Sequence, residues 1–212
     1  MDDLKIENYT LSELAYRKVK SLILNNFLKP GDRINQEKVA KELGISKIPL
    51  IQALTLLTKE NLLEKLPRRG FFVKKYSRKE LDDIFELRAI LEMAGVYSLI
   101  ENMSPSTENK LKKFLDDFEY YYKEKKTKEH YELDAKFHYF IVDSTENDLI
   151  VKLNETHNIL LLCFTKGWVL DWDTSIKQHR EIINLVLEKN ITGAGLSMRR
   201  HIFSIREAYI KK

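Results

Sequence analysis

Between Gln36 and Val73 the chain reads QEKVAKELGISKIPLIQALTLLTKENLLEKLPRRGFFV, and few folds can absorb that order of signals. Val39, Ala40 and Leu43 give a first helix one apolar face, and Gly44 stands where a helix commonly stops. Ser46 is placed to cap a second helix, with Pro49 in its first turn, where a missing N–H costs little. Leu50, Ala53, Leu54 and Leu57 recur at helical spacing and give that helix one buried stripe. Leu62–Leu66 and Phe71–Lys75 then have the character of short strands around the turn Pro67-Arg68-Arg69-Gly70. Helix, tight turn, helix and a basic two-stranded wing form the shape that sets one helix into a major groove of duplex DNA.

The flanks agree with that reading. Thr10-Leu11-Ser12-Glu13 is a capping box, opening a helix to about Phe27 whose Leu11, Ala15, Val19, Leu22 and Ile23 form a stripe. Lys29-Pro30-Gly31-Asp32 has proline and glycine where a type II turn prefers them. Residues 1–75 carry 15 Lys/Arg against 9 Asp/Glu, whereas residues 76–212 carry 21 against 23. Phosphate contact needs positive charge, so the imbalance assigns it to the front third. The polar run KKYSRK over 74–79 marks the junction, dividing the chain into a DNA-binding domain over 1–75 and a helical domain over 76–212.

Behind the junction the pattern is helical throughout, as 7 Gly and 4 Pro in 212 residues would suggest. Ser77-Arg78-Lys79-Glu80 opens a helix toward Asn102 bearing Leu81, Ile84, Phe85, Leu91 and Ala94. Ser104-Pro105 starts another with Leu111, Phe114, Leu115 and Phe118. KEKKTKEH, over 123–130, is read as a solvated connection. Further helices are expected over about Glu129–Val142, Asn147–Leu170, Thr174–Lys189 and Thr192–Ile210, with Asn147 and Thr192 as caps. The expected fold is mostly α: an N-terminal winged helix-turn-helix with a two-stranded β wing, then a C-terminal antiparallel bundle of roughly six to seven helices. Cys163 is the sole cysteine, MDDLKIENYT is unlike a signal peptide, and no apolar run could span a bilayer. The expected setting is cytoplasmic, with no membrane partner.

On the second helix the inward stripe leaves Lys47, Ile48, Ile51, Gln52 and Thr55 outward. Glutamine suits adenine and isoleucine can touch thymine methyls, which gives an A·T-leaning half-site. Alternatively, Ile48 and Ile51 extend the packing of the domain. Arg68 and Arg69 of the wing are expected to hold phosphates, since most such contacts position the protein.

Five histidines occur: His130, His138, His157, His179 and His201. Asp134 precedes His138 by one helical turn, which puts both on one face. His179 shares a stripe with Ile176, Ile182, Ile183 and Val186, and His201 with Met198, Ile202 and Ile205. A lone histidine of this kind is more often a hydrogen-bonded core residue than a ligand. Three on core stripes need partners, and a divalent cation would serve all of them; imidazole with carboxylate suits zinc, nickel, iron or manganese.

The front third resembles the winged-helix half of GntR-type bacterial transcription regulators. The motifs that carry the resemblance are Pro30-Gly31-Asp32-Arg33-Ile34, Leu43-Gly44-Ile45-Ser46-Lys47-Ile48-Pro49-Leu50, Gln52-Ala53-Leu54 and Leu66-Pro67-Arg68-Arg69-Gly70. The chain has Lys47 where the family usually has arginine, Ile51 where a second base-reading arginine is common, and Gln52 in place of glutamate. The resemblance implies a homodimer gripping a two-fold symmetric operator. It adds Arg33 and Ser46 to the DNA contacts and brings Gly70 toward the minor groove. Asp134-Ala135-Lys136-Phe137-His138, then Asn147, then Gln178-His179-Arg180-Glu181-Ile182, and His201 resemble the FadR-type (FCD) effector domain. In its metal-containing members an Asp and three His hold one cation, which here would be Asp134, His138, His179 and His201. His130 and His157 match no motif position, which leaves them as surface or helix-packing residues.

The implied cofactor is one divalent transition metal per chain, zinc or nickel, with manganese or iron as alternatives. The implied effector is a small organic acid beside or on the metal. Arg88 matches a commonly retained arginine and could clamp its carboxylate, or else pair with Glu92. Trp168 and Trp172 are read as packing at a helix end. The expected function is a metal-containing, small-carboxylate-responsive transcriptional regulator, as a rule a repressor in this family, and no enzyme. A small metalloenzyme is the alternative from another class, but no H-E-x-x-H run or other general base stands out. An architectural DNA-binding protein with a structural metal is the third.

Overall fold

The structure, a computed structural model, describes residues 9–25, 27–157 and 170–210. The chain divides into two compact units, Met1–Tyr76 and Ser77–Lys212. The described residues of the first unit form α1 (Leu11–Leu24), α2 (Gln36–Leu43), α3 (Lys47–Lys59), β1 (Leu63–Leu66) and β2 (Gly70–Val73). Those of the second form α4 (Arg78–Glu101), α5 (Pro105–Lys123), α6 (Thr127–Asp143), α7 (Asp148–His157), α8 (Trp172–Leu187) and α9 (Ile191–Ile210).

In the first unit Thr10 and Glu13 close the capping box of α1, and Ala15, Val19 and Ile23 are buried. Leu11, expected in that stripe, is instead exposed, and α1 ends at Leu24, short of Phe27. Asp32 N donates to Lys29 O at 2.9 Å across the turn, and Gly31 has φ +89°, open to a residue without Cβ. Helix α2 stops at Gly44, whose φ of 65° is left-handed. Leu50, Ala53, Leu54 and Leu57 of α3 are buried against α1, α2 and β1. Strands β1 and β2 pair antiparallel from Leu63 opposite Val73 to Leu66 opposite Gly70. The sequence reading missed a third piece of the wing: Arg33 bridges to Phe72, and Ile34 N donates to Phe71 O at 2.9 Å.

In the second unit α4 packs on α9 and α6, α5 packs on α6 and α8, and α8 packs on α9. Ser77 and Glu80 form the capping box of α4, Ser104 caps α5, and Asp171 caps α8. Asn147 accepts from Leu149 N at 3.0 Å, as expected of a cap. Thr192 is not a cap; α9 starts at Ile191, and Asn190 Oδ1 accepts from Gly193 N at 2.9 Å. The segment read as a solvated connection already enters α6 at Thr127, and His130 on it is buried. Of the helix expected over Asn147–Leu170, Asp148–His157 is helical and Leu170 is not. Residues 158–169, with Cys163 and Trp168, lie outside the described residues. At Gly95 a Cβ would fall 1.9 Å from Ile141 O, so the backbones of α4 and α6 meet there. Among the described residues no helix is long and apolar enough to cross a membrane.

Candidate metal centre and nucleic-acid surface

Three helices deliver the imidazoles: α6 carries His138, α8 His179 and α9 His201, each on the apolar face that builds the core. The three are at most 1% exposed, and their ligand atoms all lie within 4.8 Å of one another. His138 Nε2 is 3.3 Å from His179 Nε2 and 3.2 Å from His201 Nε2. Asp134, the fourth expected ligand, lies one turn before His138 with its Oδ1 3.3 Å from His179 Nε2, but it stands outside the mutually close triad. Phe118 stacks on the His179 ring at 4.6 Å and Phe137 lies edge-on to it at 5.1 Å, which closes that side with hydrocarbon.

Following the protons shows what the cluster can hold. Ser204 Oγ donates to Arg200 O at 2.8 Å, so it accepts from Gln178 Nε2 at 3.3 Å. The Gln178 carbonyl therefore faces His201 Nδ1 at 2.8 Å, and that nitrogen carries the ring proton. His138 Nδ1 likewise donates to the Glu92 carboxylate. Both Nε2 atoms are then lone pairs turned on each other at 3.2 Å. A cation between them relieves the repulsion. Burial, its largest cause, holds His201 well below the usual imidazole range and so keeps that ring neutral. His179 is lowered in the same way, by burial first. Metal ligation requires neutral imidazoles, and bonds of about 2.0–2.1 Å at a tetrahedral zinc span ligand edges of about 3.3 Å. The buried triad could therefore hold a metal ion.

A second layer surrounds the first. Glu92 on α4, which the sequence reading considered only as a partner for Arg88, bonds His138, and Ser175 Oγ lies 3.4 Å from His179 Nδ1. Arg88 is on α4 as well, fully buried, with Nε donating to Glu92 Oε1 at 2.6 Å. Burial pushes the Glu92 carboxyl up, but the Arg88 guanidinium and the hydrogen bonds from Arg88 and His138 more than offset it and hold it below the usual carboxylate range. Burial raises Asp134 against the pull of His138, Arg88 and His130. His130 stands outside the triad: it stacks on Trp172 at 5.2 Å and meets Phe118 edge-on. Trp172 is the first residue of α8, at a helix end as expected.

On the first unit the outward face of α3 is open. Ile48 is 71% exposed and Ile51 39%, so neither extends the core. Gln52 and Thr55 are exposed beside them. Lys47 Nζ meets Glu37 Oε1 at 2.8 Å. Ser46 sits at the N-cap with extended φ and ψ, yet among the described residues its side chain makes no cap bond. The N3 position belongs to Pro49, which has no N–H to give. At the wing tip Arg68 is exposed with φ 60°, and the Arg69 guanidinium lies 5.4 Å from the Phe72 ring. Gly70, at φ 94°, closes the turn, and Arg33 is exposed beside β2.

Residues 11–73 match the bacterial regulatory proteins of the gntR family, and residues 83–204 match the FCD domain. The uncharacterized HTH-type transcriptional regulator YdhC of Bacillus subtilis (strain 168) is 32% identical over 95% of this chain and 92% of its own length. The Nta operon transcriptional regulator of Aminobacter aminovorans is 29% identical over 82% of each. Among solved structures, E. coli McbR/YncC superposes with TM-score 0.69 at 19% identity, over 95% of this chain and 99% of that one. A GntR regulator structure from Rhodococcus sp. RHA1 gives 0.73 at 18% identity, over 94% and 97%. These two share the fold. The winged helix-turn-helix binds DNA, and an FCD domain implies a small-molecule ligand. The chain belongs to the GntR family of bacterial transcription regulators, in the branch whose helical half is an FCD domain with a buried histidine triad.

Proposed function

We propose that this regulator holds one divalent transition metal per chain on His138, His179, His201 and Asp134. The arrangement of the imidazoles carries the reading: three Nε2 atoms converge while the Nδ1 atoms of His138 and His201 are committed to Glu92 and Gln178. Outer-layer partners of this kind fix ring orientation at metal sites. Nitrogen and carboxylate donors suit zinc or nickel, with manganese or iron as the alternatives. When bound, the metal supplies a Lewis-acidic point for an oxygen ligand.

The effector is a small organic acid. A divalent ion and Arg88 together outweigh Asp134 and Glu92 by one positive charge among buried side chains, which favours an anion. Arg88 is the guanidinium on hand for a carboxylate, and its field reaches Asp134, His179 and His201. On the DNA side, Lys47, Ile48, Ile51 and Gln52 read a half-site. Arg33, Ser46, Arg68, Arg69 and Gly70 hold the backbone and approach the minor groove. A homodimer presents two such helices to a two-fold symmetric operator. The acid shifts operator affinity only by preferring one arrangement of the dimer, and as a repressor the protein would release DNA on binding it.

The test is metal analysis of the purified protein together with a mobility shift on operator DNA. Protein with and without chelator is titrated with a panel of small carboxylic acids. The proposal expects about one ion per chain and an acid response that chelation abolishes. Metal without any acid response would leave a structural ion; an acid response indifferent to chelation would separate sensing from the centre.

A further inference from the structure

Glu92 and Arg88 lie one turn apart on α4 and are both fully buried. Burying two charges is costly unless both are well partnered. Here Glu92 divides its oxygens, Oε1 accepting from Arg88 Nε at 2.6 Å and Oε2 accepting from His138 Nδ1. The α4 backbone is brought up against α6 by Gly95, one turn after Leu91–Glu92, where a side chain would strike Ile141. A carboxylate has acceptors only, so whatever faces Oε2 must donate.

We infer that Glu92 is the positioning residue of the centre, locking the His138 proton on Nδ1 so that Nε2 offers its lone pair to the cluster, with Arg88 holding Glu92 in register. The inference rests on the metal reading above and extends it to residues that touch no ion. It gives Glu92→Gln a specific consequence. A carboxamide has one acceptor oxygen, and the Arg88 guanidinium, a donor only, claims it. The NH2 then faces His138 Nδ1, which must accept, and the ring proton moves to Nε2, where it blocks the lone pair.

Two measurements on the full-length protein decide this. One is the His138 tautomer in metal-free protein, from its 15N shifts. The other is the dissociation constant for zinc and nickel by competition with a chromophoric chelator. Wild type is expected to show the Nδ1–H form. Glu92→Gln is expected to show the Nε2–H form and to bind metal about 10- to 100-fold more weakly. Arg88→Met combined with Glu92→Gln frees the amide to turn, and should return the proton to Nδ1 and recover metal affinity relative to Glu92→Gln alone. A merely structural role for Glu92 would not give that reversal. An unchanged tautomer in Glu92→Gln overturns the inference whatever the affinity does, as does a changed tautomer with unchanged affinity. If Glu92→Gln does not fold, the wild-type tautomer alone decides, an Nε2–H form overturning it. If wild type takes up no metal, the metal reading fails, and the tautomer comparison still judges Glu92 by itself.

Discussion

His138 and His201, on α6 and α9, point their Nε2 atoms at each other across 3.2 Å, and both rings have already spent their proton on the far side. The cluster is therefore short of positive charge as the chain alone builds it. A bound ion stabilises the folded unit by about 4 kcal/mol at a thousandfold excess over its dissociation constant. For a chain of this size each kcal/mol moves the melting temperature by roughly 2–4 °C. Adding zinc or nickel to chelated wild-type protein is thus expected to raise its melting point by roughly 8–16 °C. His179→Ala and His201→Ala should each lose most of that rise, measured by calorimetry with and without metal. A full rise in both variants would remove those residues from the centre.

Ser46→Ala separates capping from DNA contact. A working N-cap costs about 0.5–2 kcal/mol when cut to alanine. Because Pro49 withholds the N–H that Ser46 would cap, the variant is expected to melt within a degree or two of wild type. Its operator affinity should fall. A melting point lowered by several degrees with unchanged DNA binding would mean the hydroxyl serves the helix after all.

Gly95→Ala tests the approach of α4 to α6 that sets Glu92 on His138. With the added carbon 1.9 Å from Ile141 O and backbone unable to yield, the cost is expected to be about 3 kcal/mol or more. Metal affinity should drop with it. Gly44→Ala, left-handed at φ 65° but in open space, is the control, at about 1–2 kcal/mol. Denaturant melts of the two variants check the order, and equal costs would contradict it.

The open face of α3 leads to an expectation about sequence. Ile48→Ala and Ile51→Ala should change stability by less than about 0.5 kcal/mol, since both side chains are exposed. Both should weaken operator binding. Selection from random duplexes is expected to return A·T-leaning half-sites. Arg68→Gln should reduce the slope of log affinity against log salt by about one for each protomer on the operator. G·C-rich half-sites would contradict the assignment of Gln52, Ile48 and Ile51 as readers.

These cases show what the sequence discloses and what it withholds. Helical spacing announced the buried stripes of α3 and the three core histidines, because periodicity reports which face is inward. It does not report what a buried polar group bonds. Glu92 fell outside the stripe reading because it is charged, yet Arg88 and Glu92 fall at helical spacing with the buried Phe85, Ala89 and Val96, and that register was the available signal. His130 looked like part of a solvated lysine-rich run, and only the rings of Trp172 and Phe118, distant in sequence, explain its burial. The proline that disarms Ser46 was visible, but its effect depends on which residue begins the helix. Thr192 failed as a cap for the same reason, with Asn190 two residues earlier taking the role. The bridge from Arg33 to Phe72 involves a single residue, too short to leave a pattern.

The central claim is that the triad holds an ion, and native mass spectrometry of gently purified full-length protein tests it most directly. The account expects a dimer whose mass exceeds that of two bare chains by two transition-metal ions, with both lost from the His138→Ala/His201→Ala variant. A metal-free dimer from cells supplied with zinc and nickel, or metal equally retained by the variant, would contradict it.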